Sequence, residues 1–81
     1  MSHRLSDKAI ACLVIAKQPV LTQGWAHAMA GAERHFGKKP IERKFDELAR
    51  KGYIRPGDVL GPRHGTLTAK GRAALQAENA P

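Results

Sequence analysis

The side chains with which this chain could hold a metal or move a proton are four histidines, one cysteine and seven carboxylates. Their spacing serves neither purpose. His3, His27, His35 and His64 are scattered, Cys12 sits among the apolar neighbours of Ala9–Ala16, and no interval among these groups brings metal ligands, or a nucleophile and its base, together. The sequence therefore predicts no enzyme, no metal and no cofactor, with the histidines as surface or tail residues. The basic residues are different. Fourteen Lys and Arg against seven Asp and Glu leave a net charge of +7, which suits a polyanion better than an acidic small molecule. Lys38, Lys39, Arg43 and Arg50 fall in one stretch, with Glu42 among them, and Arg55, Arg63 and His64 fall in the next. Lysine offers a point charge, whereas arginine presents a planar fork of donors.

Those stretches need elements to hold them. Ser6 is placed to cap a helix over Asp7–Lys17, with Leu5 and Ile10 as a hydrophobic staple. Ile10, Leu13 and Val14 share one face of it, while Cys12 and Ile15 project from the other, so either both sides are buried or a second subunit covers one. Pro19-Val20-Leu21 reads as extended and able to supply a one-rung strand. Thr22 then caps a second helix, Gln23–Phe36, whose Trp25, Met29, Ala32 and Phe36 recur on one stripe despite Gly31. Gly37 closes it in a left-handed conformation, Gly37-Lys38-Lys39 forms a turn, and Pro40 opens a third helix over Pro40–Lys51 with Ile41, Phe45 and Leu48 buried and Gly52 as its stop. Tyr53-Ile54-Arg55 and Thr66-Leu67 read as two strands of a hairpin with a long, flexible loop between them. Thr68 caps a last helix through about Gln76, and the end from Ala77 to Pro81 has nothing to hold it.

The expected architecture is thus mainly α with a small β-hairpin, in the order helix, optional short strand, helix, helix, two strands, helix. One domain spans residues 1–81, with an ordered core of about 5–76 and no room for a separate sensing or catalytic unit. A domain of this size buries only about 60–65% of the surface its unfolded chain exposes, so a partner would help it. A single cysteine allows no internal disulfide and points to a reducing cytoplasm. The apolar run after the basic start is preceded by Asp7 and ended by Lys17, lacks a small-residue cleavage site, and falls far short of the roughly 20 residues that span a bilayer. The reading is a soluble cytoplasmic protein with no membrane association.

Phe45-Asp46-Glu47-Leu48-Ala49-Arg50-Lys51-Gly52-Tyr53-Ile54, followed by Leu67-Thr68-Ala69-Lys70-Gly71-Arg72, resembles the recognition-helix-to-wing stretch of MarR-like and PadR-like winged helix-turn-helix regulators. The resemblance covers roughly residues 20–76 as an ordered pattern of elements. It implies a winged helix-turn-helix that binds double-stranded DNA and regulates transcription. The long terminal helices with which MarR proteins dimerise and enclose a ligand are missing, so effector sensing and a small-molecule pocket are not carried over.

On that reading the third helix enters the major groove, with Lys38, Lys39, Glu42 and Arg43 nearest the bases and Arg50 further along. Arg43 lies about 200° around the helix from Ile41 at 100° per residue, pointing outward with Asp46, Glu47 and Arg50. It is the first choice for reading guanine O6 and N7, unless Arg43 and Arg50 are held in intrahelical pairs by Asp46 and Glu47. Arg55, Arg63 and His64 would track the backbone or minor groove from the wing, with Arg63 as the insertion residue. A homodimer would use Cys12 and Ile15 of the first helix. Two alternatives stand beside this. One is a small phage- or plasmid-type winged helix that docks on a nucleoprotein complex. The other is an RNA binder, which the commitment of Trp25, Phe36, Phe45 and Tyr53 to the core argues against.

Overall fold

The computed structural model describes residues 5–79. Helix α1 runs Asp7–Lys17. Ser6 is extended before it, and its Oγ accepts from the Ala9 N–H at 3.2 Å. Asp7 in the first turn and Lys17 in the last complement the helix dipole. Leu5 and Ile10, half-buried, pack on the core.

The side of α1 that carries Cys12 and Ile15 is enclosed by the chain itself. Cys12 is 0% exposed and Ile15 1%, because α1 packs against α2, α3, α4 and strand β2, described below. The expected dimer surface through Cys12 and Ile15 is therefore corrected: these side chains are core, and Val14 is the large α1 residue left exposed. The Cys12 Sγ–H points to the Ile41 carbonyl at 3.9 Å. Desolvation by burial pushes its thiol pKa up to about 12, outweighing Lys44 and Lys8.

No strand forms at Pro19–Leu21. The Thr22 hydroxyl donates to the Pro19 carbonyl at 2.6 Å, the Thr22 N–H reaches the same oxygen at 3.3 Å, and Leu21 takes φ +67°. That closes a turn with no free strand edge. The same hydroxyl accepts from the Trp25 N–H at 3.3 Å and caps α2, Gln23–Phe36. Trp25, Met29 and Ala32 are buried along it and Phe36 half-buried.

Gly37 alone separates α2 from α3, which runs Lys38–Arg50. The expected turn was longer and the expected start was Pro40. Gly37 instead adopts φ +99°, ψ 147°, a positive φ with extended ψ rather than the left-handed helical pair. A Cβ there would also press on the Pro40 ring at 3.2 Å. Pro40 fits inside the first turn because N–H groups there have no intrahelical acceptor to lose. Ile41, Phe45 and Leu48 are fully buried, as the stripe predicts. The helix ends in a Schellman closure: Tyr53 N–H bonds Leu48 O at 2.9 Å, Gly52 N–H bonds Ala49 O at 3.1 Å, and Gly52 has φ +86°.

Strands β1, Ile54–Arg55, and β2, Thr66–Leu67, pair antiparallel, Ile54 opposite Leu67 and Arg55 opposite Thr66. Tyr53 lies just outside the strand, and its carbonyl accepts from the Thr68 N–H. The connection is not without structure of its own. It contains a 3-10 turn at Gly61–His64 that packs on α3. The Thr68 hydroxyl donates to Gly52 O at 2.5 Å and accepts from the Gly71 N–H at 3.1 Å, joining the end of α3 to the start of α4, Ala69–Asn79. Lys70 of α4 adds a bond to Lys51 O at 2.7 Å and lies over the Tyr53 ring. Helix α4 passes the expected end at Gln76, and Glu78 accepts from the Leu5 N–H at 3.0 Å. Ala80 and Pro81 of the expected loose tail lie outside the described residues. Among the described residues no helix is long and apolar enough to cross a membrane. The molecule is mainly helical with a small antiparallel hairpin.

Two glycines in helices give opposite expectations for one substitution. A Cβ on Gly31 meets nothing within 4 Å, so Gly31→Ala should stabilise by about 0.5–1 kcal/mol. At Gly71 a Cβ would run into the Tyr53 carbonyl, and Gly71→Ala should cost about 1–3 kcal/mol. Urea midpoints at unchanged m-value check both. A thiol reagent should modify Cys12 only at the rate of global unfolding, and faster labelling of the native protein would contradict its enclosure.

Candidate nucleic-acid interface

Ile41, Phe45 and Leu48 hold α3 against the core, so the opposite side of the helix is set by geometry. At 100° per residue Lys39, Arg43, Asp46 and Arg50 lie about 140–200° from Ile41 and form the outward row. All four are exposed, as is Lys38. Glu42 and Ala49 fall on one flank, Lys44, Glu47 and Lys51 on the other.

The acids of α3 do not pair with the outward arginines. Lys44 Nζ lies 2.8 Å and Lys51 Nζ 3.6 Å from Glu47 Oε2. The hydrogen bond and charge of Lys44, then Lys51, hold the Glu47 carboxyl below its ordinary pKa despite some desolvation. Glu42 binds Arg63 instead, Oε1 to Nη1 at 3.4 Å. Among the described residues Lys38, Lys39, Arg43 and Arg50 have no ion pair. The intrahelical pairing of Arg43 and Arg50 weighed from the sequence does not form.

The first turn of α3 reinforces the positive charge. Gly37 supplies no side-chain cap, no acid lies in that turn, and Lys38 and Lys39 stand in it. Cations at the positive end of a helix dipole are unfavourable within the helix itself. Lys8 of α1 lines the same shallow hollow as Pro40, Arg43, Lys44 and Glu47 and broadens the basic flank.

The hairpin divides its predicted residues. Arg55 is exposed on β1. Arg63 is not a free tip: besides Glu42 it reaches Glu33 Oε2 of α2 at 3.4 Å, with about a quarter of its side chain exposed. His64 stacks on Trp25, ring centroids 5.1 Å apart and planes 24° off parallel. Trp25 Nε1, Arg63 Nε and His64 Nδ1 are buried there without protein partners. The sequence reading missed Lys8, Glu33 and the second role of Trp25. Glu33 lies thirty residues from Arg63, and no local pattern signals such a pairing.

Among the described residues no group of three or more His, Cys, Asp and Glu could hold a metal. No family model, curated protein or solved structure matches the chain.

The pairing around Glu47 has a titration signature. Its folded pKa lies below the ordinary value, so any stability it contributes is present above the unfolded pKa and lost as pH falls through the folded one. Lys44→Met should move the Glu47 midpoint up, and Lys51→Met should move it less. Carbon-13 NMR titration of the carboxyl reads both, and an unmoved midpoint in Lys44→Met would reject Lys44 as the main partner.

Proposed function

We propose that the chain is a winged helix-turn-helix domain of the MarR-like and PadR-like kind, which binds double-stranded DNA in a sequence-specific way and acts as a transcription regulator. The observation that carries this reading is the row of exposed cations without acid partners, Lys39, Arg43 and Arg50, with Lys38 beside them, on the one side of α3 that the core leaves free. A helix anchored from behind by Ile41, Phe45 and Leu48 can enter a major groove with that row forward. Lys38 and Lys39, at an uncapped helix start, suit phosphates, and Arg43 suits a guanine edge. Arg55 on β1 supplies a phosphate contact from the hairpin. Glu42 and Arg63 satisfy each other and are not assigned to DNA, and His64 is assigned to the hairpin's packing. The exposed Asp46 accepts from cytosine N4 or orients Arg43 or Arg50.

One observation favours a second reading. Val59 is 81% and Leu60 51% exposed at the hairpin end, apolar surface that a protein-docking module on a nucleoprotein complex would use.

Selecting bound duplexes from a random library at physiological salt separates the two. A regulator enriches one motif and binds it far more tightly than random duplex, with log affinity falling steeply against log salt, whereas a docking module enriches none. Arg43→Ala should relax preference at one base position at a cost of about 1–3 kcal/mol. Lys39→Ala should weaken all duplexes evenly and reduce the salt slope by about one. Equal losses on every duplex for Arg43→Ala would refute its base-reading role.

A further inference from the structure

The ion pairs of Lys44 and Lys51 stay within one helix and its cap, whereas those of Arg63 join the hairpin loop to two helices. Its guanidinium lies between Glu33 of α2 and Glu42 of α3, 3.4 Å from each carboxylate. The next residue, His64, stacks on Trp25 of α2. The return of the loop is equally close. Gly57 N–H bonds Gly61 O at 3.0 Å and Gly65 N–H bonds Pro62 O at 3.0 Å. A Cβ at Gly57 would meet the His64 carbonyl, and one at Gly65 would meet that of Arg55.

We propose that Arg63 is a positioning residue: by bridging Glu33 and Glu42 it docks the hairpin on α2 and α3, and so holds Arg55 at a set distance from the outward row Lys39, Arg43 and Arg50. The role in DNA binding rests on the function proposed above; the docking itself does not. Two partly screened ion pairs stabilise the fold little, but they bear on whether the hairpin meets a duplex already ordered. A hairpin released from the helices must be ordered again when DNA binds, and that ordering falls on the binding step.

The first test needs no DNA. In Arg63→Gln, the Gly57 and Gly65 amides should exchange with solvent about tenfold faster or more, and the nuclear Overhauser contact between the Trp25 and His64 rings should weaken, while α1 amides keep their protection. Unchanged exchange and an unchanged ring contact would overturn the docking. The second test replaces the ion pair without changing net charge: Glu42→Cys with Arg63→Cys, compared before and after bridging by a short bis-maleimide. Cys12, enclosed in the core, does not compete. On the selected duplex the unbridged double variant should bind about tenfold more weakly than the parent. Bridging should restore affinity to within about twofold, with the parent's salt slope. A bridged form as weak as the unbridged one would mean that Arg63 or Glu42 itself touches DNA, and would overturn positioning. If the parent prefers no duplex, the DNA reading falls, and the exchange comparison still decides whether Arg63 docks the hairpin.

Discussion

The enclosure of α1 is the constraint on which the other elements depend. A helix of 11 residues is marginal by itself in water. This one stands because Cys12, Leu13 and Ile15 are covered by the neighbouring elements, and burying each Leu or Ile side chain stabilises by about 1.5–3 kcal/mol. The same contacts fix those neighbours. Ile41 packs into the core beside Cys12, which sets the rotation of α3, while Leu67 and Leu75 bring β2 and α4 into the same core against α1. Once the apolar stripe of α3 is committed inward, its charged side has one direction left.

What that side presents is settled by which charges find partners. Glu47 is taken by Lys44 and Lys51, and Glu33 and Glu42 are taken by Arg63. Each of these cations reaches its acid from a flank, leaving the outward row of α3 rich in unpaired positive charge. Crowded like charges repel and gain nothing within the fold, an arrangement that suits the anionic partner proposed for it. The pairs themselves lie at or near the surface and add little stability. Their consequence is electrostatic sorting.

Much of the fold was legible because its signals are local. Ser6, Thr22 and Thr68 accept from N–H groups three residues on, and Gly52 closes α3 through bonds to the preceding turn. Other features read differently from their local signals. Pro19–Leu21 looks extended, but the Thr22 hydroxyl closes it into a turn. Pro40 looks like a helix start because proline favours the first position, yet the third costs no hydrogen bond either. The Gly- and Pro-rich loop looks loose because its composition is that of a turn, whereas it holds a 3-10 turn whose Arg63 and His64 contact α2 and α3.

The candidate site divides along the same line. The sequence alone determined that Arg43 and Arg50 share the side of a helix opposite Ile41, Phe45 and Leu48, since helical periodicity carries that information within a few turns; Lys39 joins them because α3 starts at Lys38 rather than Pro40. It also determined the caps at Ser6, Thr22 and Thr68. Only the tertiary structure decided that Cys12 and Ile15 are core rather than contact surface, and that Arg63 is bound to Glu33 and Glu42. Both outcomes turn on which distant elements come to lie beside a side chain, and the spacing of neighbouring residues does not encode that.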